Sequence, residues 1–160
     1  MSFYAKTPTI SMPLQVGVIG SGECYEEVCE IAERVGELLA ERGCVILNGG
    51  LYGVMEAVSR GAKRKGGFVI GIVPGKSKDE ANEYCDVVIA TNMGHARNMI
   101  IVHSSDVLIA IGGGYGTISE MAIALKEGKR VVGIKNPVKL PGLIEASSAE
   151  EAVDLALGKS

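Results

Sequence analysis

The stretch DVLIAIGGGYGTISEMAIAL, residues 106–125, decides how the chain folds. An apolar run rich in branched residues ends at Ile111, glycines occupy positions 112, 113, 114 and 116, and a helical apolar pattern follows. Apolar runs without polar alternation are what strands buried on both faces require, so the stretch is a strand, a tight turn and a helix. The unit recurs. VGVIG (16–20), CVILN (44–48), FVIGIV (68–73), CDVVIA (85–90) and RVVGIK (130–135) are further short strands of the same kind. Between the first two, Val28, Ile31, Ala32, Val35, Leu38 and Leu39 share one helical face, and Gly43 supplies a left-handed stop. Further helices are expected over about 53–65, 94–104 and 117–127, and a last one after Ser148, where SAEE forms a capping box.

Strands alternating with helices through right-handed crossovers specify an α/β fold. The expectation is a single-domain, Rossmann-like, doubly wound and mainly parallel sheet of six or seven strands with helices on both faces. Residues 1–14 are read as an N-terminal arm and 15–160 as the nucleotide-binding domain. Ligands of such sheets sit beyond the carboxyl ends of the strands, and the glycine-rich turns all follow strands.

Composition narrows the partners. The chain has 160 residues, 47% hydrophobic, with a formal charge of −3, which accommodates one core and offers no basic footprint for nucleic acid. No run nears the ~18 apolar residues of a membrane span, and the N-terminus lacks the apolar centre of a signal peptide, so a cytoplasmic protein is expected with no membrane partner. Cys24, Cys29, Cys44 and Cys85 form no CxxC pair and are read as reduced core thiols. No metal site is expected, because neither His95 nor His103 has a second ligand at metal-binding spacing.

The turn at 112–117 is the first candidate site. Glycines let an oxyanion approach without meeting a Cβ, and the helix expected to start near Thr117 offers free N–H groups and a positive dipole end. A phosphate would lie against Gly112, Gly113, Gly114, Tyr115, Gly116 and Thr117. TISE is equally a capping box, in which Thr117 and Glu120 bond each other's backbone without any ligand. That accounts for the threonine and glutamate but not for four glycines, which cost conformational entropy. NGGLYGVME (48–56) repeats the Gly-Gly-x-Tyr-Gly pattern, and the two turns are expected to share a backbone geometry, with Gly49, Gly50 and Gly53 lining the crevice. Gly20, Ser21 and Gly22 line it from the first turn, where Tyr25 occupies the third glycine of a dinucleotide fingerprint and NAD is disfavoured. Arg97 is the only arginine between Arg64 and Arg130; at a strand's carboxyl end, its planar donors suit a phosphate or a sugar diol.

GGGYGTISE (112–120), NGGLYGVMEAV (48–58) and Arg97 together resemble the LOG (LONELY GUY) family, long labelled lysine decarboxylase-like, and within it the short branch that includes molybdenum cofactor carrier proteins. The first stretch matches the family's PGGxGTxxE motif, with Gly112 in place of the proline, and Asn98 stands where the enzymes carry a lysine after the arginine. The resemblance implies a nucleoside 5′-monophosphate phosphoribohydrolase, not a lysine decarboxylase. In that reading the glycine turn and Thr117 hold the phosphate, Arg97 orients the substrate, and Glu120, kept ionised by the helix dipole, is the catalytic carboxylate. Glu23, Glu56 and His95 are the nominees for a second catalytic group. The resemblance equally implies a non-catalytic carrier of molybdenum cofactor, and a nucleotide-sensing scaffold is a third reading. None requires a cofactor; the bound molecule would be a nucleoside monophosphate or a molybdopterin-type ligand, held by a homodimer or homotetramer.

Overall fold

The computed structural model describes residues 12–158. It contains one sheet of parallel strands, in the order β4-β3-β2-β1-β5-β6-β7. These are β1 (Gln15–Gly20), β2 (Val45–Asn48), β3 (Phe68–Val73), β4 (Val87–Ala90), β5 (Val107–Ile111), β6 (Arg130–Ile134) and β7 (Ile144–Glu145). The α-helices are α1 (Glu26–Glu41), α2 (Val54–Arg64), α3 (Arg97–Ser104), α4 (Tyr115–Lys126) and α5 (Ala149–Ala156). The expected doubly wound sheet is therefore present, with seven strands. Its order reverses at β1, which lies between β2 and β5, so the turns after β1 and β5 flank the crevice where a ligand enters.

Alternation along each strand builds two apolar layers. Val107, Ile109 and Ile111 of β5 face Val35 and Leu39 of α1, Val58 of α2 and Val153 of α5, while Leu108 and Ala110 face Ile101 of α3 and Met121 of α4. Both faces are covered. β3 passes to β4 without an α-helix, and Val87 and Ile89 at this edge remain 41% and 46% exposed. The fold of the arm expected at 1–14 lies outside the described residues up to residue 11; Leu14, just before β1, is already tied to β2, its carbonyl accepting from Val45 N at 2.9 Å.

Two local expectations need correction. Cys24 and Cys29 are joined in a disulfide, with Cα atoms 5.4 Å apart, while Cys44 and Cys85 are free. The pairing arises because Cys24 precedes α1 and Cys29 lies in its first turns, so the chain doubles back over five residues. The second concerns the two Gly-Gly-x-Tyr-Gly turns, which do not share a geometry. α2 begins after Gly53 (φ 64), whereas α4 begins at Tyr115, with extended Gly114 (φ −128) as its N-cap. SAEE does cap α5: Ser148 Oγ accepts from Glu151 N at 3.1 Å and Glu151 Oε1 accepts from Ser147 N at 2.9 Å.

α1 and α2 touch through glycine. A Cβ on Gly36 would overlap Val58 O and lie 2.8 Å from Ala62 N, so the helices approach to backbone contact, and Glu33 accepts from Arg60 and Arg64 across the same seam. Ala in place of Gly36 is expected to lower the unfolding free energy by about 2 kcal/mol despite its better helix propensity, because backbone must move to admit the methyl. A urea midpoint equal to the parent's would show that the seam can open freely.

Candidate functional site

The turn after β5 is built to leave donors free. Gly112 (φ 59) and Gly113 (φ 112) take left-handed angles, and a Cβ on Gly113 would sit 2.6 Å from Thr117 Cγ2. Gly112 N donates to Ile134 O at 2.9 Å, and the next intrachain bond is Ile118 N to Gly114 O. The N–H groups of Gly113, Gly114, Tyr115, Gly116 and Thr117 have no acceptor among the described residues. A helix start always strands its first donors, but here the free run extends through the glycines that precede it. Gly114 and Gly116 differ from their neighbours, since neither has positive φ and a Cβ on either would meet nothing within 4 Å.

The expected capping box is absent. α4 starts two residues earlier than its sequence pattern suggests, so Thr117 is already inside the first turn and no side chain caps the helix. Both side chains turn inward instead. Thr117 is 3% and Glu120 6% exposed, and they line a crevice of about 310 Å³.

The other walls come from the remaining turns. Gly20 at the end of β1, Ser21 and Gly22 after it, Gly49 after β2, and His95, Arg97 and Asn98 after β4 meet Gly116, Thr117 and Glu120 there. The β1 and β2 turns are held together by a bond from Val54 N to Ser21 O at 3.0 Å. Gly53 is glycine for that approach: its φ is 64, and a Cβ would press on Gly22 C and lie 2.5 Å from Ser21 O. Gly50 (φ 74) likewise shapes its turn, its N–H donating to Asn48 Oδ1 at 2.7 Å. Neither lines the crevice. Gly112 and Gly113 line a separate cavity beyond Ser21, and Tyr115, 93% exposed, points away.

Arg97 reaches back over the β2 turn. Its Nη1 donates to Asn98 Oδ1 at 2.5 Å and its Nη2 to Gly49 O at 3.4 Å, while buried Nε has no partner among the described residues. Burial lowers its pKa, opposed by the nearby carboxylates of Glu120 and Glu80. Burial also pushes Glu120 up to about 7, with Arg97 opposing. The carboxylate expected to stay ionised at the helix end is thus close to half-protonated at neutral pH, because loss of water outweighs the helix dipole and the arginine. It can give or take a proton.

Of the nominated second groups, His95 lines the crevice, Glu23 lines the cavity beyond Ser21, and Glu56 sits 4.0 Å from Arg60. Sequence reasoning did not select Leu51 and Met55, which give the crevice an apolar wall. Their signal was available: Met55 falls in the first turn of α2, directly after the glycines. Among the described residues no cluster of three or more histidine, cysteine, aspartate or glutamate side chains could hold a metal ion, and no helix is long and apolar enough to cross a membrane.

The comparisons with known proteins follow this architecture. A model described as the SLOG cluster4 family matches residues 13–157. An uncharacterized protein of Archaeoglobus fulgidus is 61% identical over 92% of this chain and 97% of its own length. The solved molybdenum cofactor binding protein of the phototrophic bacterium Rippkaea orientalis is 40% identical over 90% of this chain and 95% of that one, with a TM-score of 0.86. The cytokinin riboside 5′-monophosphate phosphoribohydrolase of Mycobacterium tuberculosis is 32% identical over 65% of this chain, which spans 57% of the enzyme's length.

A pH-dependent stability follows from Glu120. An ordinary glutamate titrates near 4.5 and this one near 7, so the folded chain holds the proton more tightly. The stabilisation is complete below about pH 4 and is lost as pH rises through 7. Glu120→Gln, neutral at every pH, is therefore expected to match the parent at pH 4 and to be more stable by roughly 3 kcal/mol at pH 8. Urea unfolding at both pH values reads this, and equal stabilities at pH 8 would contradict the burial argument.

Proposed function

The chain belongs to the SLOG cluster4 family, and from that premise we propose that it binds a phosphorylated, nucleotide-like ligand of the molybdopterin kind in the crevice between β1 and β5. The observation that carries the reading is the run of five N–H groups from Gly113 to Thr117 without acceptors among the described residues. They can bind phosphate oxygens at a helix end with no acidic residue in its first turn. Arg97, with Nε unpartnered, is the neighbouring cation, and Leu51 and Met55 offer an apolar surface to a flat ring. A solved relative similar over nearly its whole length is a molybdenum cofactor binding protein, which favours a carrier. A homo-oligomer and a role inside the cytoplasm complete the proposal.

A second reading rests on Glu120. A carboxyl group with a pKa of about 7 in a crevice beside an arginine suits proton transfer or stabilisation of positive charge at an anomeric carbon, as in a phosphoribohydrolase. The two readings share the phosphate and part at the chemistry.

Mass spectrometry of the small molecule released from freshly purified protein is expected to show a phosphorylated pterin; nucleotide alone would count against a carrier. Incubation with AMP decides the second reading, since no free base, or a rate unaltered in Glu120→Gln, would end it. Gly114→Val tests the phosphate site itself. Its extended backbone tolerates valine and the side chain enters open space, so the melting temperature should hold while ligand affinity falls at least tenfold. Arg97→Ala is expected to cost a similar factor, from the loss of a charge-assisted bond worth about 1.5–3 kcal/mol. Full affinity in both variants would overturn the site.

A further inference from the structure

Three glycines near the crevice lack an internal reason to be glycine. Gly22, Gly114 and Gly116 have no positive φ, and a Cβ on any of them would meet nothing within 4 Å. Glycine costs backbone entropy, and Gly116 stands in the first turn of α4, where alanine is the better helix former, so open space beside all three is a reason to look for what fills it. The three lie along the two turns that face one another across the switch point. They also lead somewhere.

Behind Ser21 a second cavity, of about 190 Å³, adjoins the crevice. Ser21 belongs to the wall of both. Its other walls are Gly112 and Gly113 from the β5 turn and Glu23, disulfide-bonded Cys24, Tyr25 and Val28 from around the start of α1. The free donors from Gly113 to Thr117 therefore run between two cavities, one ending at Gly116, Thr117 and Glu120 and the other at Gly112 and Gly113.

The chemistry of the second cavity differs from the first. Glu23 is exposed there, and α1 carries Glu26 and Glu27 in its first turn, so a second anion is repelled. Tyr25, 82% exposed, precedes that helix and makes no capping bond, which leaves its ring free to stack. A flat heterocycle fits these groups, its face on Tyr25 and Val28 and its amino or ribose hydroxyl groups toward the Glu23 carboxylate.

We propose that the site accepts a pyrophosphate-linked dinucleotide, with the pyrophosphate along Gly113–Thr117, one ring in the Arg97 crevice and the second ring in the Tyr25 cavity. This rests on the phosphate reading above and extends it. It also reverses the usual arrangement of such sheets, where the pyrophosphate lies on the first helix: the acidic start of α1 passes the anion to α4 and keeps the second ring for itself.

Calorimetric titration of the whole chain with AMP and with P1,P2-diadenosine diphosphate tests it. The dinucleotide is expected to bind about tenfold tighter than AMP, and Tyr25→Ala to remove that excess while leaving AMP within twofold. Tyr25 is exposed and caps nothing, so the variant folds, which its melting temperature verifies. Equal affinities in the parent, or an excess that survives Tyr25→Ala, overturn the second cavity and leave the phosphate site standing. If neither compound binds, the phosphate reading fails and this inference with it.

Discussion

The bond from Val54 N to Ser21 O is the contact on which the crevice depends. It ties the β1 turn to the start of α2 and is short enough only because Gly53 has no Cβ to press on Gly22. Through it, the second turn brings Gly49, Leu51 and Met55 beside Ser21 and Gly22, and Gly49 O in turn receives Arg97. A side chain at residue 53 would part the two turns and scatter three walls of the site at once. Glycine here acts on packing, not on ligand approach, a division of labour that the chain repeats elsewhere.

Charge in the crevice is balanced between partly buried groups. Arg97 is held by Asn98 and Gly49 rather than by Glu120, and both it and Glu120 pay for burial with pKa values displaced toward neutrality. The combination leaves one guanidinium with an unused donor and one carboxyl group that carries its proton about half the time at neutral pH. An anion entering beside them meets a site that can adjust its own charge by one proton. Such a pair suits both the retention of a phosphorylated ligand and proton transfer to it.

How far the sequence was legible varied with the range of the forces involved. Buried parallel strands declare themselves as apolar runs, and the six expected strands were found, with β7 too short to show a pattern. Arg97 was identified from its place after a strand, and it does reach the crevice. TISE misled, because a capping box and a buried Thr-x-x-Glu pair have the same spelling; only the helix start at Tyr115 separates them. The repeated Gly-Gly-x-Tyr-Gly pattern misled for a related reason, since one turn is shaped by contact with Ser21 and the other by Thr117. The bond between Cys24 and Cys29 was missed because no CxxC spacing announces a pair that a helix start brings together.

By itself the amino-acid order determined the fold class, the position of the crevice at the strand ends, and the glycine turn at 112–116, all consequences of short-range periodicity and of the angles glycine permits. The tertiary structure decided which glycines serve the chain and which face open space, that Thr117 and Glu120 turn inward, and that Glu120 titrates near 7. These depend on how closely distant segments approach and how much water they exclude. Neither quantity is written in any single stretch of residues.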